Sequence, residues 1–336
     1  MTDTPGSVLV YVGLDLVGDG LMKLPFVRAL RHACPQARIT WLAGKGRSTY
    51  GGVLAPLVAG LIDEVVEEAG VGLGWGEMLR PPLAGTSLQG RRFDLVIDTQ
   101  RRVKTTLLLR RIPHRLFVSG AAGYRLSDRR PPRGHARPAA MIRQMLDLLE
   151  LSTGRPAVPA FTPLADAAAA ARARELLPGA GRLVGLVPGA GGRGKCWPLE
   201  RYLELGRRLA AGGRIPVFLL GPAETDWQDA VRAAVPEALL PLQDPHAGAL
   251  AGSPLLTIAL AARLAAGVAN DSGGGHMLAA ADIPLLSLFG PTAPDKFAPF
   301  VTRGAVLRAQ NFGGTEMTAI PVDAVEAALE SLLESR

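Results

Sequence analysis

The sequence predicts two doubly wound α/β domains in tandem. Three observations carry that prediction. Short apolar, β-rich runs alternate with segments of helical spacing; the alternation stops at a Pro/Arg-rich stretch and begins again; and glycine-containing turns follow strand-like runs at residues 17–20, 188–194 and 271–276. The chain has 336 residues, 48% of them hydrophobic, which suits two domains of roughly 150 residues each.

The elements follow in order. "SVLVYVGLDL" (7–16) reads as a strand ending in glycine and acid. "GDGLMKLPFVRALRHACP" carries Leu21, Leu24, Val27 and Leu30 at helical spacing. Pro25 lies too deep for a first turn, so a kink or a late helix start is expected. "ARITWLAG" (37–44) and "FDLVIDTQ" (93–100) are further strands, and the alternation implies a parallel sheet covered on both faces. "RPPRGHARP" (130–138) is a loop, "MIRQMLDLLELS" (141–152) a helix and "TGRPAVPAFTP" (153–163) a linker. "LADAAAAARARELLPGAG" (164–181) is a helix stopped by Pro178-Gly179.

The plan then repeats. A strand runs into "PGAGGRGKCWP", an amphipathic helix follows, and "IPVFLLGPAE" (215–224) is a strand with an acid just beyond it. "SPLLTIALAARLA" (253–265) is a helix with Ser253 as N-cap and Pro254 at its first position. "AGVAN" leads into "DSGGGH", and "IPLLSLFGPT" (283–292) is the next strand. The domains are expected at 1–160 and 161–320, with a last helix in 321–336 packing back on the first half. Ligands of such sheets bind at the carboxyl ends of the strands, and two such domains suggest a central cleft between them.

Composition narrows the function. No 18-residue apolar run free of charge or proline predicts a transmembrane helix. The start, "MTDTPGSVLVYVG", lacks the basic region of a signal peptide. Two cysteines, Cys34 and Cys196, make neither a disulfide framework nor a zinc site. A cytoplasmic enzyme fits these bounds. The net charge is +7, yet Arg101 to Arg137 holds eleven Lys/Arg and one acid, Asp128, a local +10 that leaves the rest at −3. The block, which opens on Arg101, Arg102 and Lys104, suggests an anionic partner: phosphorylated lipid, acidic sugar, membrane surface or nucleic acid. The alternative is a solvated basic face. Only Phe117 and Tyr124 interleave it, so base stacking is poorly supported and nucleic acid is not expected.

Three turns carry chemistry. In "PGAGGRGKCWP", Gly189, Gly191 and Gly192 let backbone approach a phosphate and Lys195 adds a point charge; the spacing is not that of a P-loop. In "DSGGGH", Ser272 is a donor, Asp271 caps the helix or orients His276, and the helix start can meet the same phosphate. In "VGDG", Asp19 either caps the helix or accepts a proton from an incoming hydroxyl. Glu224 either caps or binds ribose hydroxyls.

On these residues the chain resembles glycosyltransferase family 9, the bacterial heptosyltransferases that build the lipopolysaccharide inner core. "GDGLMKLPFVRALRHACPQARITWL", "VPGAGGRGKCWPLERYLELGRRL" with "LLGPAE", and "NDSGGGHMLAAADIPLLSLFGPT" are similar to the family's three segments, in order and spacing, over nearly the whole chain. The resemblance implies a GT-B fold of two Rossmann-like doubly wound parallel-sheet domains. It implies an inverting, metal-independent transfer of heptose from ADP-heptose to an anionic lipopolysaccharide-core acceptor, with no cofactor and with peripheral contact at the inner membrane's cytoplasmic face. Asp19 matches the catalytic base. Lys195, Glu224, Asp271, Ser272, Gly273 and His276 match donor-binding positions, with Gly189, Gly191 and Gly192 as phosphate loop and Arg101, Arg102 and Lys104 as acceptor contacts. The sequence departs from the family at Gly13, Asp15 and Leu16, where a basic residue and a Ser pair are usual, and at Gly274-Gly275. A nucleotide-sugar epimerase on the same scaffold and a non-catalytic nucleotide-binding protein are the alternatives.

Overall fold

The computed structural model describes residues 4–72, 74, 76, 79–179 and 181–334. The chain divides into two compact units, Met1–Thr162 and Pro163–Arg336.

In the first unit the elements run β1 (Ser7–Val12), α1 (Val17–Ala33), β2 (Arg38–Ala43), β3 (Glu64–Val66), β4 (Phe93–Asp98), α2 (Val103–Leu109), β5 (His114–Ser119) and α3 (Met141–Thr153). The five strands form one sheet in the order β3-β2-β1-β4-β5, every pair parallel. Val8 to Val12 are wholly buried, as a strand covered on both faces requires. Helix α1 begins at Val17 and runs through Pro25, so the expected late start does not occur. A proline inside a helix costs about 3 kcal/mol. Against it stand the buried side chains of Leu21, Leu24, Phe26, Val27 and Leu30, each contributing about 1.5–3 kcal/mol. Packing wins.

The second unit runs α4 (Ala167–Leu176), β6 (Leu183–Val187), α5 (Leu199–Ala211), β7 (Ile215–Phe218), α6 (Gln228–Ala234), α7 (Pro254–Ala261), β8 (Ala266–Asn270), α8 (Gly273–Ala280), β9 (Leu285–Phe289), α9 (Pro294–Phe297), β10 (Gly304–Arg308) and α10 (Val322–Glu334). Its parallel sheet has the order β10-β9-β8-β6-β7. Ser253 caps α7, accepting the Leu255 N–H at 3.2 Å, as its sequence position predicts. Helix α10 packs on its own unit's sheet, with Val325 and Leu329 wholly buried in that core beside Val268 and Leu286, which buries its apolar stripe.

Strand order reverses between β1 and β4 in the first unit and between β6 and β8 in the second. The loops leaving those four strands are where such sheets hold ligands. Among the described residues no helix is long and apolar enough to cross a membrane.

Candidate functional site

A cavity of about 500 Å³ opens at the β6/β8 reversal, lined among others by Gly189, Gly191, Glu224, Gln243, Ser272 and Gly273. Its walls are the loop after β6, the 3-10 turn Pro222–Trp227 after β7 and the start of α8.

Glu224 sits in that turn and is 8% exposed. Among the described residues its carboxylate accepts no hydrogen bond; its oxygens open onto the cavity, where solvent reaches them. The turn's N-cap is Gly221, so Glu224 does not serve as a cap. Two glycines make room for it: a Cβ on Gly189 would lie 2.5 Å from its carboxyl carbon and one on Gly221 2.7 Å from Oε2. Bare backbone here surrounds an acid that the protein itself leaves unpaired.

Helix α8 starts at Gly273, not at His276 as the glycine run suggests. Ser272 is its N-cap and its Oγ accepts the Gly275 N–H at 3.3 Å. That leaves the Gly273 and Gly274 N–H groups without partners among the described residues, at a positive helix end. Gly273 has open space around it, whereas a Cβ on Gly274 would fall 2.4 Å from Val187 Cγ1. Gly274 is therefore a close-packing glycine that draws α8 against the end of β6.

Asp271 neither caps α8 nor is hydrogen-bonded to His276 in any recorded contact; its carboxylate pairs with Lys195 Nζ at 3.0 Å. The two groups join the β6 and β8 loops beside the cavity, with neither among its lining residues. Gly192 likewise lies outside the lining and caps the short turn Arg193–Lys195. His276 is buried in α8. Cys196 follows the same turn, and burial pushes its thiol pKa up, which keeps it protonated and unreactive.

Sequence reasoning missed two residues that hold these loops. Asn270, at the end of β8, is 1% exposed. Its Nδ2 donates to the Pro188 carbonyl at 2.7 Å, and its Oδ1 accepts from Trp197 N–H at 3.1 Å and Tyr202 Oη at 3.2 Å. Arg193 stacks 4.4 Å over the Trp227 ring and pairs with Asp226 at 3.2 Å, tying the glycine loop to the Glu224 turn. An Asn ahead of Asp-Ser-Gly, at a strand end, was the available signal.

In the first unit, Asp19 lies at the third position of α1, whose N-cap is Leu16, so Asp19 is not the cap. It is half-buried, and its carboxylate carries no ion pair or hydrogen bond among the described residues. Asp15, read in the sequence only as a departure from the family, is built into the same turn, and Asp98 ends the neighbouring strand β4. Asp15, 3% exposed, accepts from Lys23 Nζ, from Trp41 Nε1 at 2.8 Å and from Ser48 Oγ at 3.0 Å. Asp98, at the end of β4, is wholly buried; burial pushes its pKa up, against the hydrogen bonds of Thr106, the Gln100 N–H and Ser119.

The basic block is mostly exposed, but several of its half-buried members are used within the fold. Arg101 adopts φ +59°, a conformation costly for a non-glycine residue, and donates to Gln144 Oε1 at 2.6 Å and to the Gly120 carbonyl at 3.4 Å. Arg110 binds the Leu126 carbonyl and Asp128, and Arg129 the carbonyls of Leu151 and Ser152. Of the three expected acceptor contacts, Arg102 is exposed, Lys104 half-buried and Arg101 tied into the fold.

Two Rossmann-like units in one chain, each a five-stranded parallel sheet, make the GT-B architecture of glycosyltransferases and related enzymes. The chain belongs to glycosyltransferase family 9 (heptosyltransferase), whose profile it matches over residues 84–318. It is similar to lipopolysaccharide heptosyltransferase 2 of Salmonella typhimurium, at 29% identity over 316 residues, 89% of this chain and 87% of that protein. Among solved structures, the family 9 glycosyl transferase of Veillonella parvula superposes with a TM-score of 0.69 at 20% identity, over 98% of this chain and 97% of that one. The ADP-heptose lipopolysaccharide heptosyltransferase II of Escherichia coli gives 0.65 at 24%, over 97% and 98%. Among the described residues no group of three or more His, Cys, Asp or Glu could hold a metal ion.

Proposed function

We propose that the protein transfers heptose from ADP-heptose to an anionic acceptor of the lipopolysaccharide-core type, with inversion. The observation that carries the donor assignment is the Glu224 carboxylate, open to the cavity and without a hydrogen-bond partner among the described residues, on the wall that also contains the N-terminus of α8. A carboxylate in that position suits two ribose hydroxyls. The free N–H groups of Gly273 and Gly274, with those of the Gly189–Gly192 loop, suit a diphosphate. The names of the relatives support ADP-heptose as the donor and lipopolysaccharide as the acceptor.

In this reading the residues divide the work. Lys195, released from Asp271 or bridging to it, offsets the negative charge that builds on the departing diphosphate. Ser272 and His276 shape the α8 end. Asp19, unpaired at the start of α1, accepts the acceptor hydroxyl's proton as the new glycosidic bond forms. Arg102 and Lys104 contact the acceptor's phosphate or carboxylate groups at the membrane's cytoplasmic face.

The test is transfer itself. Purified protein is given ADP-heptose and heptose-free core glycolipid, and the glycolipid is followed by mass spectrometry. One added heptose, with ADP released in equal amount, is the expected result. UDP- and GDP-sugars are expected to give no product. Epimerisation of the nucleotide sugar in the absence of acceptor would overturn the assignment, as would failure to bind ADP.

A further inference from the structure

Asp19 and Lys23 stand four residues apart on α1, acid toward the N-terminus. That is the spacing and order in which a carboxylate and an ammonium pair best across one helical turn. They do not pair. Lys23 is 8% exposed and its ammonium is bound to Asp15 in the loop before the helix. Asp15 is fixed in turn by Trp41 Nε1 and Ser48 Oγ, and its own N–H donates to the Arg47 carbonyl at 3.1 Å. Every partner of the Asp15 carboxylate among the described residues is a donor. The helix start is clamped against the same segment: Tyr50 Oη donates to the Gly20 carbonyl at 2.6 Å, and a Cβ on Gly20 would lie 2.6 Å from Thr49 Oγ1.

We propose that Asp15 is a positioning residue that draws Lys23 away from Asp19 and so keeps the Asp19 carboxylate free for the acceptor hydroxyl. The inference rests on Asp19 being the base. Lys23 has two carboxylates within reach of its stem, one before the helix and one a turn above. The buried one, fixed by two further donors, captures it. Asp15 occupies one of the places where the family usually carries a Ser pair, so the device belongs to this chain's own combination of Asp15 and Lys23.

A strut that only stiffens the loop is damaged equally from either end, whereas a decoy is not. Asp15→Asn leaves Lys23 charged and free to swing to Asp19. Lys23→Leu removes the cation and leaves Asp19 open. Transfer kinetics are measured for both, for Asp15→Ser as a second way of removing the charge, for the double variant Asp15→Asn/Lys23→Leu, and for Asp19→Asn, with thermal melts alongside. Asp15→Asn is expected to lower kcat about tenfold or more, on the scale of losing part of a general base, with donor KM within about twofold. Lys23→Leu and the double variant are expected to hold kcat within about threefold of the parent. Equal losses from Asp15→Asn and Lys23→Leu, or full kcat in a folded Asp15→Asn or Asp15→Ser protein, would overturn the inference. Should Asp15→Asn fail to fold, the contrast between Asp15→Ser and Lys23→Leu decides in the same way. Parent-like transfer by Asp19→Asn would instead remove the base assignment beneath it.

Discussion

Replacing Glu224 by Gln should weaken ligand binding and leave stability nearly unchanged. The residue is 8% exposed and its carboxylate oxygens open onto the cavity, accepting no hydrogen bond among the described residues. Solvent reaches them there, so Gln, of the same shape, should shift the stability of the free protein by no more than about 0.5 kcal/mol. Donor binding should suffer. If the carboxylate accepts from ribose hydroxyls, each charged hydrogen bond is worth about 1.5–3 kcal/mol. Losing the charge should then weaken ADP by about tenfold to a hundredfold. Calorimetric titration of ADP into parent and Glu224→Gln measures the loss, and repeating it with 2′,3′-dideoxy-ADP completes a double-mutant cycle. The dideoxy compound should bind both proteins alike, since it lacks the hydroxyls. A Gln variant that bound ADP as the parent does would refute the ribose role. Equal weakening of both nucleotides would place the acid's effect elsewhere in the site.

Other outcomes follow from particular contacts. Gly274→Ala puts a Cβ 2.4 Å from Val187 Cγ1 and should cost about 1–3 kcal/mol of stability, while Gly273→Ala, with open space around it, should be neutral or stabilise by about 0.4–1 kcal/mol; paired chemical denaturation curves separate them. Asn270→Ala removes three hydrogen bonds and strands the Trp197 N–H in the interior, a loss of about 3 kcal/mol that should also appear as weaker ADP binding as the β6 loop slackens. Burial pushes the Asp63 carboxyl up, but the Ile39 N–H and the Arg31 guanidinium outweigh it and hold its pKa below the ordinary value. A lowered folded-state pKa means stability that is present above the unfolded value, near pH 4, and lost as pH falls through the folded one. Asp63→Asn should therefore be less stable than the parent at pH 7, and the gap should close as pH falls below about 4; a gap independent of pH would contradict the assignment.

The fold class was legible because the core strands are nearly continuous apolar runs, and such runs have few places to go except a covered parallel sheet. Strands β3 and β5 were not, for a physical reason: β3 has three residues beginning with Glu64, and β5 opens on His114 and Arg115 with its apolar half inside the basic block. Edge positions tolerate such residues, so hydrophobic pattern cannot find them. The basic block shows a related gap between composition and structure. Composition counts charges but not their partners, and Arg101, Arg110 and Arg129 reach backbone carbonyls within their own unit. Charge density along a chain measures an electrostatic surface only after these internal uses are removed.

The glycine run at 273–275 carries the same distinction further. Propensity places a helix start after three glycines, since each weakens a helix by about 1 kcal/mol. Yet α8 begins at the first of them because Ser272 caps it and Gly274 packs on Val187. The three residues do separate things: Gly273 leaves a bare N–H beside open space, Gly274 permits contact with β6, and Gly275 takes the cap's hydrogen bond. A side chain at Gly274 would push α8 away from β6 and with it the unpartnered N–H groups facing the Glu224 turn. The departure from the family at Gly274-Gly275 therefore sets how closely a helix end approaches a strand end, and on the proposed reading that closeness fixes where the donor diphosphate meets the helix N-terminus.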